Sequence, residues 1–278
     1  MILTLEEYKK IMEVIDYRTP EELIKEFGIT RQIAYSLYSQ NIIKYVKRNH
    51  HKIKNLSPQL YRSWKRGKTI LNISKEKRFP PALIANFILT EHGMKKREIQ
   101  QILQEPEKCG TRRLTQELRD AMEKDRVYSP NLNDKRAIEG RRGEERLEGF
   151  LDDLDIEYYA EEDLRDNDDF PKTPDILFKS EGQNIKGHIV NWIESKSNFG
   201  SPPEFRINYR KQLSSYTELF GPGIVVYWYG YVEGVNKDSS IVVVEKEFFG
   251  IKDLDAHRKE MDQRIRKLSD RGIKRSSE

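Results

Sequence analysis

The sequence predicts an α+β protein, with an all-α N-terminal half and an α/β C-terminal core ordered helix, strand, strand, strand, helix, strand. Three observations lead there. Residues 4–125 carry apolar side chains at three- and four-residue spacing, with Thr, Pro and Gly at the ends of the runs, as short capped helices do. From residue 156 onward, β-branched and aromatic runs alternate with turn residues. The halves also differ in charge: residues 44–78 hold twelve Lys/Arg and one acid, Glu76, whereas residues 152–169 hold ten acids and one base, Arg165.

At 278 residues the chain has room for one large domain or two to three small ones. The expected division is a helix-turn-helix-like unit at 1–54, a second helical unit at 55–127, the α/β core at 136–250 and a charged helical tail at 251–278. Hydrophobic residues are 36% and charged residues 35%, so several modest cores under a charged surface are expected. The only cysteine, Cys109, excludes a disulfide within the chain and suits a reducing compartment. The start, Met-Ile-Leu-Thr-Leu-Glu-Glu, has acids where a signal peptide needs bases. No apolar stretch approaches membrane-spanning length. These features lead us to expect a soluble intracellular protein, not secreted and without a membrane partner.

Residues 4–50 read as three short helices. Thr4 caps the first, which carries Leu5, Tyr8, Ile11, Met12 and Ile15 on one stripe. Thr19-Pro20-Glu21-Glu22 starts the second and Gly28 ends it. Thr30 caps the third, running through Ile33, Ala34, Leu37 and Tyr38. This order fits a helix-turn-helix, with Arg31 and Gln32 outward at the start of the recognition helix. A plain three-helix bundle fits it too. The basic run that follows offers Lys44, Lys47, Arg48, Lys65, Arg66, Lys68, Lys75, Lys77 and Arg78, interleaved with Tyr45, Tyr61 and Trp64. Near-continuous positive charge with aromatics suits a phosphate backbone, DNA ahead of RNA. Residues 70–78 and 81–89 repeat the helix–turn–helix pattern, residues 95–125 read as helical, and residues 128–133 read as a turn-rich linker.

In the second half, Leu147, Phe150, Leu151 and Leu154 form the buried stripe of a helix. Extending that stripe back one turn lands near Glu144, while Glu145 lies round the helix. Both acids also suit a helix N-terminus. A strand at 156–160 leads into the acid-rich loop through Asp169, read as solvated or DNA-repelling rather than as a metal cage. Two strand-like runs, 175–180 and 187–196, flank Gly-Gln-Asn and read as one hairpin. Pro202-Pro203 opens a helix bearing Phe205, Tyr209, Gln212, Leu213, Tyr216 and Phe220, which ends at Gly221-Pro222-Gly223. Residues 224–231 form a buried strand and 241–249 a last strand.

The hairpin carries the chemistry. Asp175 opens one strand, and Glu194 and Lys196, two apart, share a face of the other. Two carboxylates, with a backbone carbonyl near Ser195, can hold a hard cation such as Mg²⁺ or Mn²⁺. The lysine can orient water or offset charge on a phosphate. The alternative is a strand cap at Asp175 and a surface ion pair at Glu194–Lys196.

Pro174-Asp175…Glu194-x-Lys196 resembles the signature of the PD-(D/E)xK nucleases, and the element order resembles their restriction-endonuclease-like core. Gln212…Tyr216 is similar to the Gln-x-x-x-Tyr of the RecB-like and archaeal resolvase branches. Lys172-Thr-Pro-Asp175, Gly187-His-Ile-Val-Asn-Trp-Ile-Glu-Ser-Lys196 and Phe220-Gly-Pro-Gly-Ile-Val-Val-Tyr-Trp-Tyr-Gly230 resemble the TPD-motif family. That family includes the codanin-interacting nuclease of animals and archaeal relatives. The resemblance implies a Mg²⁺- or Mn²⁺-dependent nuclease cutting DNA, structured or branched DNA included. Asp175, Glu194, Ser195 and Glu144 would serve the metal, Lys196 the water, and Gln212 and Tyr216 would line the site. It also implies a protein partner, a monomer or homodimer, and a place in the archaeal cytoplasm and nucleoid or the eukaryotic nucleus and cytoplasm. His188 shares the matched block and is expected behind the ligands or in the core. The rival reading is a nucleic-acid-binding adaptor that keeps the fold with little or no catalysis.

Overall fold

Threonine, proline and glycine set where the first helices begin and end. The computed structural model describes residues 1–164, 172–257 and 259. The chain divides into two compact units, residues 10–142 and residues 1–9 with 143–278. The first is helical and the second is built on a sheet, so the chain is α+β.

The first helices are α1 (Leu5–Val14), α2 (Pro20–Phe27) and α3 (Arg31–Lys54). Thr19 and Glu22 form a reciprocal capping box on α2, and Gly28, at φ +63°, closes that helix in the left-handed region. Thr30 caps α3 by accepting from the Ile33 N–H. Far from short, α3 runs for 24 residues. No Gly or Pro interrupts positions 31–54, so the helix continues into the basic run.

Next come α4 (Ser57–Lys65), α5 (Ile70–Lys77), α6 (Pro81–Glu91), α7 (Lys96–Gln104) and α8 (Arg112–Lys124). Their core includes Leu60, Trp64, Ile70, Ile84, Ile88, Leu118 and Met122. Trp64 belongs to it rather than to a nucleic-acid surface. It is 8% exposed and its Nε1 donates to Glu117 Oε2 at 3.0 Å, with Ile70 N–H donating to the same oxygen at 3.1 Å. Residues 128–133 are not a linker: α9 (Pro130–Asp152) begins there, with proline at its first position.

The sheet unit contains β1 (Tyr158–Ala160), α10 (Glu161–Leu164), β2 (Ile176–Phe178), β3 (Gln183–Ile185), β4 (His188–Val190) and β5 (Trp192–Lys196). Then follow α11 (Pro202–Asn208), α12 (Ser214–Phe220), β6 (Gly223–Tyr227) and β7 (Ile241–Val244). The sheet order is β1-β2-β5-β6-β7, antiparallel from β1 to β5 and parallel from β5 to β7. Alternation along the strands sorts side chains to two faces. Ile176, Ile193, Ile224 and Trp228 pack with Leu147 and Leu151 of α9, whereas Trp192, Val225 and Tyr227 pack with Phe205, Leu213 and Tyr216. Gly223 has no room for a side chain, since a Cβ there would lie 2.0 Å from the Trp192 ring.

Several expected elements differ. β2 and β5 do pair, but a separate two-stranded hairpin, β3–β4, stands between them. Its turn is Lys186-Gly187, at φ +49° and +90°, not Gly-Gln-Asn, because two positive φ angles match the twist of a tight hairpin. The 202–220 helix is broken by a π-helical turn at Tyr209–Leu213. The strand at 224–231 ends at Tyr227, since Gly230 turns the chain at φ +95° against the Met1 carbonyl. β7 gives way to a 3₁₀ turn, Lys246–Phe249. The end of the acid-rich loop, 165–169, and the tail from 260 lie outside the described residues.

Candidate active site

The register of the sheet brings the acids of the hairpin together. β2 pairs with β5 through Ile176↔Ile193 and Leu177↔Trp192, so one step further Asp175 stands opposite Glu194. There side chains replace backbone partners: the Ser195 N–H donates to Asp175 Oδ2 at 2.6 Å. Lys196 Nζ is ion-paired with Glu194 Oε1, and it donates to Gln212 Oε1 at 3.0 Å. Gln212 Nε2 lies 3.5 Å from the Tyr216 hydroxyl, which donates to the Thr173 carbonyl at 2.7 Å. Lys172 Nζ donates to the Lys211 carbonyl and to Ser215 Oγ, both at 2.9 Å. The segment before Asp175 is thus tied to the second helix of the unit at two points.

Gln212 lies within the π-helical turn, a local rearrangement that often accompanies functional sites. Tyr216 is 2% exposed, so it stands behind the cluster and not on its surface. On the opposite face, Ser195 Oγ accepts from Trp228 Nε1 at 2.8 Å. Gly143 lets α9 come close there, because a Cβ would sit 2.6 Å from both of those atoms. Glu144, the next residue, is half-buried and its charge reaches Asp175, while Glu145 is exposed. His188 stands on β4, exposed, with its ring 5.9 Å from Phe248. It is neither in the core nor behind the ligands, because the chain bends at Asn191 and breaks the alternation with β5.

Burial, and next the Glu194 charge, push Asp175 well above the usual carboxylate range, against Lys196 and the Ser195 N–H. Burial likewise raises Glu194, against the pull of Lys196. Burial alone would lower Lys196, but Glu194 and Asp175 hold it above its ordinary value, so it stays an ammonium. Burial, with Glu194 and Asp175 behind it, raises Tyr216, which keeps its proton to donate to Thr173.

These shifts bear on stability. A carboxyl whose folded pKa is raised stabilises the fold below its unfolded value, about 3.9, and loses that contribution as pH rises through the folded value. Asp175→Asn removes the loss. In chelator at pH 8 the variant is expected to melt above the wild type, with the gap closing toward pH 4. Lys196 does not enter this window, since its raised pKa matters only above about 10. Melting curves at both pH values test the assignment, and a variant that melts lower at pH 8 overturns it.

Glu194 Oε2 is buried and has no hydrogen-bond partner among the described residues. A buried carboxylate oxygen left without a donor is costly, and a hard cation would satisfy it. Asp175 and Glu194 therefore fit a divalent ion of the Mg²⁺ or Mn²⁺ kind. Among the described residues no three His, Cys, Asp or Glu side chains converge on one metal position.

One acid escaped the sequence reading. β1 pairs with β2 through Ala160↔Ile176, and the Glu161 N–H continues the ladder by donating to the Asp175 carbonyl at 3.1 Å. Counting one residue past the pairing of β1 with β2 would have found it.

In the helical unit, Arg31 opens α3, exposed and with its guanidinium 5.0 Å from the Tyr35 ring centre, and Gln32 beside it is half-buried. Lys44, Lys47 and Arg48 are exposed on α3, and Lys65 and Arg66 at the end of α4. Lys75 and Arg78 are also exposed, while Lys77 and Lys68 are half-buried and Lys68 pairs with Glu76 at 2.5 Å. A cavity of about 640 Å³ beside α11, lined by Phe205, Arg206, Tyr209, Val235 and Lys237 among others, includes none of Asp175, Glu194 and Lys196.

No solved structure matches the chain. Among curated proteins it is similar to CDAN1-interacting nuclease 1 of Homo sapiens, 26% identical over 267 residues, covering 87% of this chain and 94% of the relative. The protein of the same name from Bos taurus is 27% identical over the same shares, and that from Danio rerio is 27% identical over 84% of this chain and 88% of its own. A family model described as a protein of unknown function with the TPD sequence motif matches residues 110–248, half of the chain. Thr173-Pro174-Asp175 stands within that span, pinned by Lys172 and Tyr216, and the chain belongs to the TPD sequence-motif family.

Proposed function

We propose that this protein is a metal-dependent nuclease of the PD-(D/E)xK type that hydrolyses phosphodiester bonds in DNA, with its helical unit supplying the DNA-binding surface. The observation that carries the reading is the cluster of Asp175, Glu194 and Lys196, with Glu194 Oε2 buried and unsatisfied. The relatives' name, a nuclease, supports it, and their named interaction with CDAN1 makes a protein partner part of the same proposal.

Asp175 and Glu194 would hold Mg²⁺ or Mn²⁺ with the Ser195 backbone carbonyl, and Glu144 would assist. When bound, the cation supplies Lewis-acid stabilisation of the phosphate's developing charge, worth several kcal/mol. Lys196 keeps its proton, orients the attacking water and offsets charge as it builds on the phosphate. Gln212 holds the ammonium in place, and Tyr216 holds Thr173 and with it the entry to Asp175. The half-buried site limits competing water and strengthens each of these interactions.

A panel of labelled DNA and RNA, single-stranded, duplex and branched, incubated with Mg²⁺, Mn²⁺ or chelator, tests the proposal. Cleavage of DNA that needs the cation is the expected outcome. Binding without cleavage on every member would replace the enzyme with the adaptor.

A further inference from the structure

Three acids stand in one row of the sheet: Glu161, the first residue of α10 directly after β1, Asp175 just before β2, and Glu194 on β5. The pairing Ala160↔Ile176 places Glu161 opposite Asp175, and Ile176↔Ile193 places Asp175 opposite Glu194. The backbone bond from the Glu161 N–H to the Asp175 carbonyl shows that the first pairing persists at this row. Residues directly opposite on antiparallel strands share a face, with Cβ atoms about 4.5–5.5 Å apart. For Asp175 and Glu194 it is the face of Leu177, Trp192 and Val225, the one that Tyr216 covers. We propose that Glu161 is a further ligand-bearing residue of the site, which joins Asp175 and Glu194 in binding the divalent cation. The inference rests on the metal-dependent reading above.

Two further observations support it. The oxygen Glu194 Oε2, on a side chain 2% exposed, has no partner among the described residues and marks a place where a positive group is wanted. The Glu161 charge is also near enough to raise Glu194 and Tyr216, behind burial as the main cause. Glu194 is ion-paired with Lys196, and among the described residues the three carboxylates do not converge on one point.

Mn²⁺ titration tests the role without reference to cleavage, by following the heat of binding or the paramagnetic signal of free Mn²⁺. The proteins are wild type, Asp175→Asn, Glu161→Gln and Glu162→Gln. Glu161→Gln keeps the backbone bond and the side-chain shape, and Glu162 is the exposed acid next to it. The expected result is Mn²⁺ affinity at least tenfold weaker in Glu161→Gln, comparable loss in Asp175→Asn, and no change in Glu162→Gln. Wild-type affinity in Glu161→Gln, with loss in Asp175→Asn, overturns the role of Glu161 and leaves the two-carboxylate site standing. Equal weakening in Glu161→Gln and Glu162→Gln assigns the effect to the general acidity of the turn and also overturns it. A wild type that does not take up Mn²⁺ removes the metal-dependent reading and this inference together.

Discussion

Lys196→Ala is expected to slow cleavage by about a hundredfold or more, the usual cost of losing a group that stabilises developing charge. DNA affinity should stay within a few-fold, because one phosphate interaction among many is small. The structure adds a second expectation. Lys196 is the counter-ion of Glu194, so its removal leaves buried Glu194 and half-buried Asp175 without the ammonium between them. The variant should therefore bind Mn²⁺ at least as tightly as wild type while cutting far more slowly, a combination that a misfolded site would not produce. Glu194→Gln keeps the shape, removes a charge proposed to bind the metal and should lose both properties. Single-turnover cleavage beside Mn²⁺ titration gives both readings. A Lys196→Ala protein that cuts within tenfold of wild type removes the lysine from the mechanism.

Replacing Lys65, Arg66 and Lys68 together with Gln is expected to flatten the salt dependence of DNA binding by roughly two to three log units per log unit of salt, at about 0.9 for each phosphate no longer neutralised. At 0.1 M salt this corresponds to affinity lower by roughly a hundredfold or more. Lys65 and Arg66 are exposed at the end of α4, with Lys65 Nζ 5.6 Å from the Tyr61 ring centre, whereas Lys68 must first exchange Glu76 for a phosphate. The change should thus sit nearer two than three. An unchanged slope in fluorescence anisotropy titrations would show that DNA binds elsewhere.

The two experiments separate the tasks of the halves. Binding free energy is assigned to residues 10–142, which hold the whole basic run, and chemistry to the sheet unit. Loss of cleavage with intact binding, and loss of binding with intact single-turnover chemistry at saturation, are the two outcomes that this division requires.

Much of the fold could be read from local rules. The caps at Thr19 and Thr30, the stop at Gly28 and the start at Pro81 are decided within a turn of chain, so α2 and the starts of α3 and α6 stand where expected. Asp175, Glu194 and Lys196 were legible too, since strand pairing and a spacing of two bring them together without knowledge of the rest. What failed were statements about length and partnership. α3 outran its expected end because only packing or a breaker stops a helix, and neither stands before Asn55. Trp64 looked like part of a nucleic-acid surface because its neighbours are basic, yet the buried carboxylate that receives its N–H is Glu117, 53 residues away.

The sequence by itself determined the α+β class, the helical and sheet halves, their opposite charge and the closeness of Asp175, Glu194 and Lys196. Those follow from side-chain chemistry and from periods of 2 and 3.6 residues, which act over a few positions. Only the tertiary structure decided that Glu161 falls in line with Asp175 and Glu194, that Tyr216 braces Thr173 from behind, and that a separate hairpin stands between β2 and β5. Each of these depends on which strands pair and in which register. That choice is made by burying both faces of the sheet at once, a condition spread over residues 147–244 and present in no single segment.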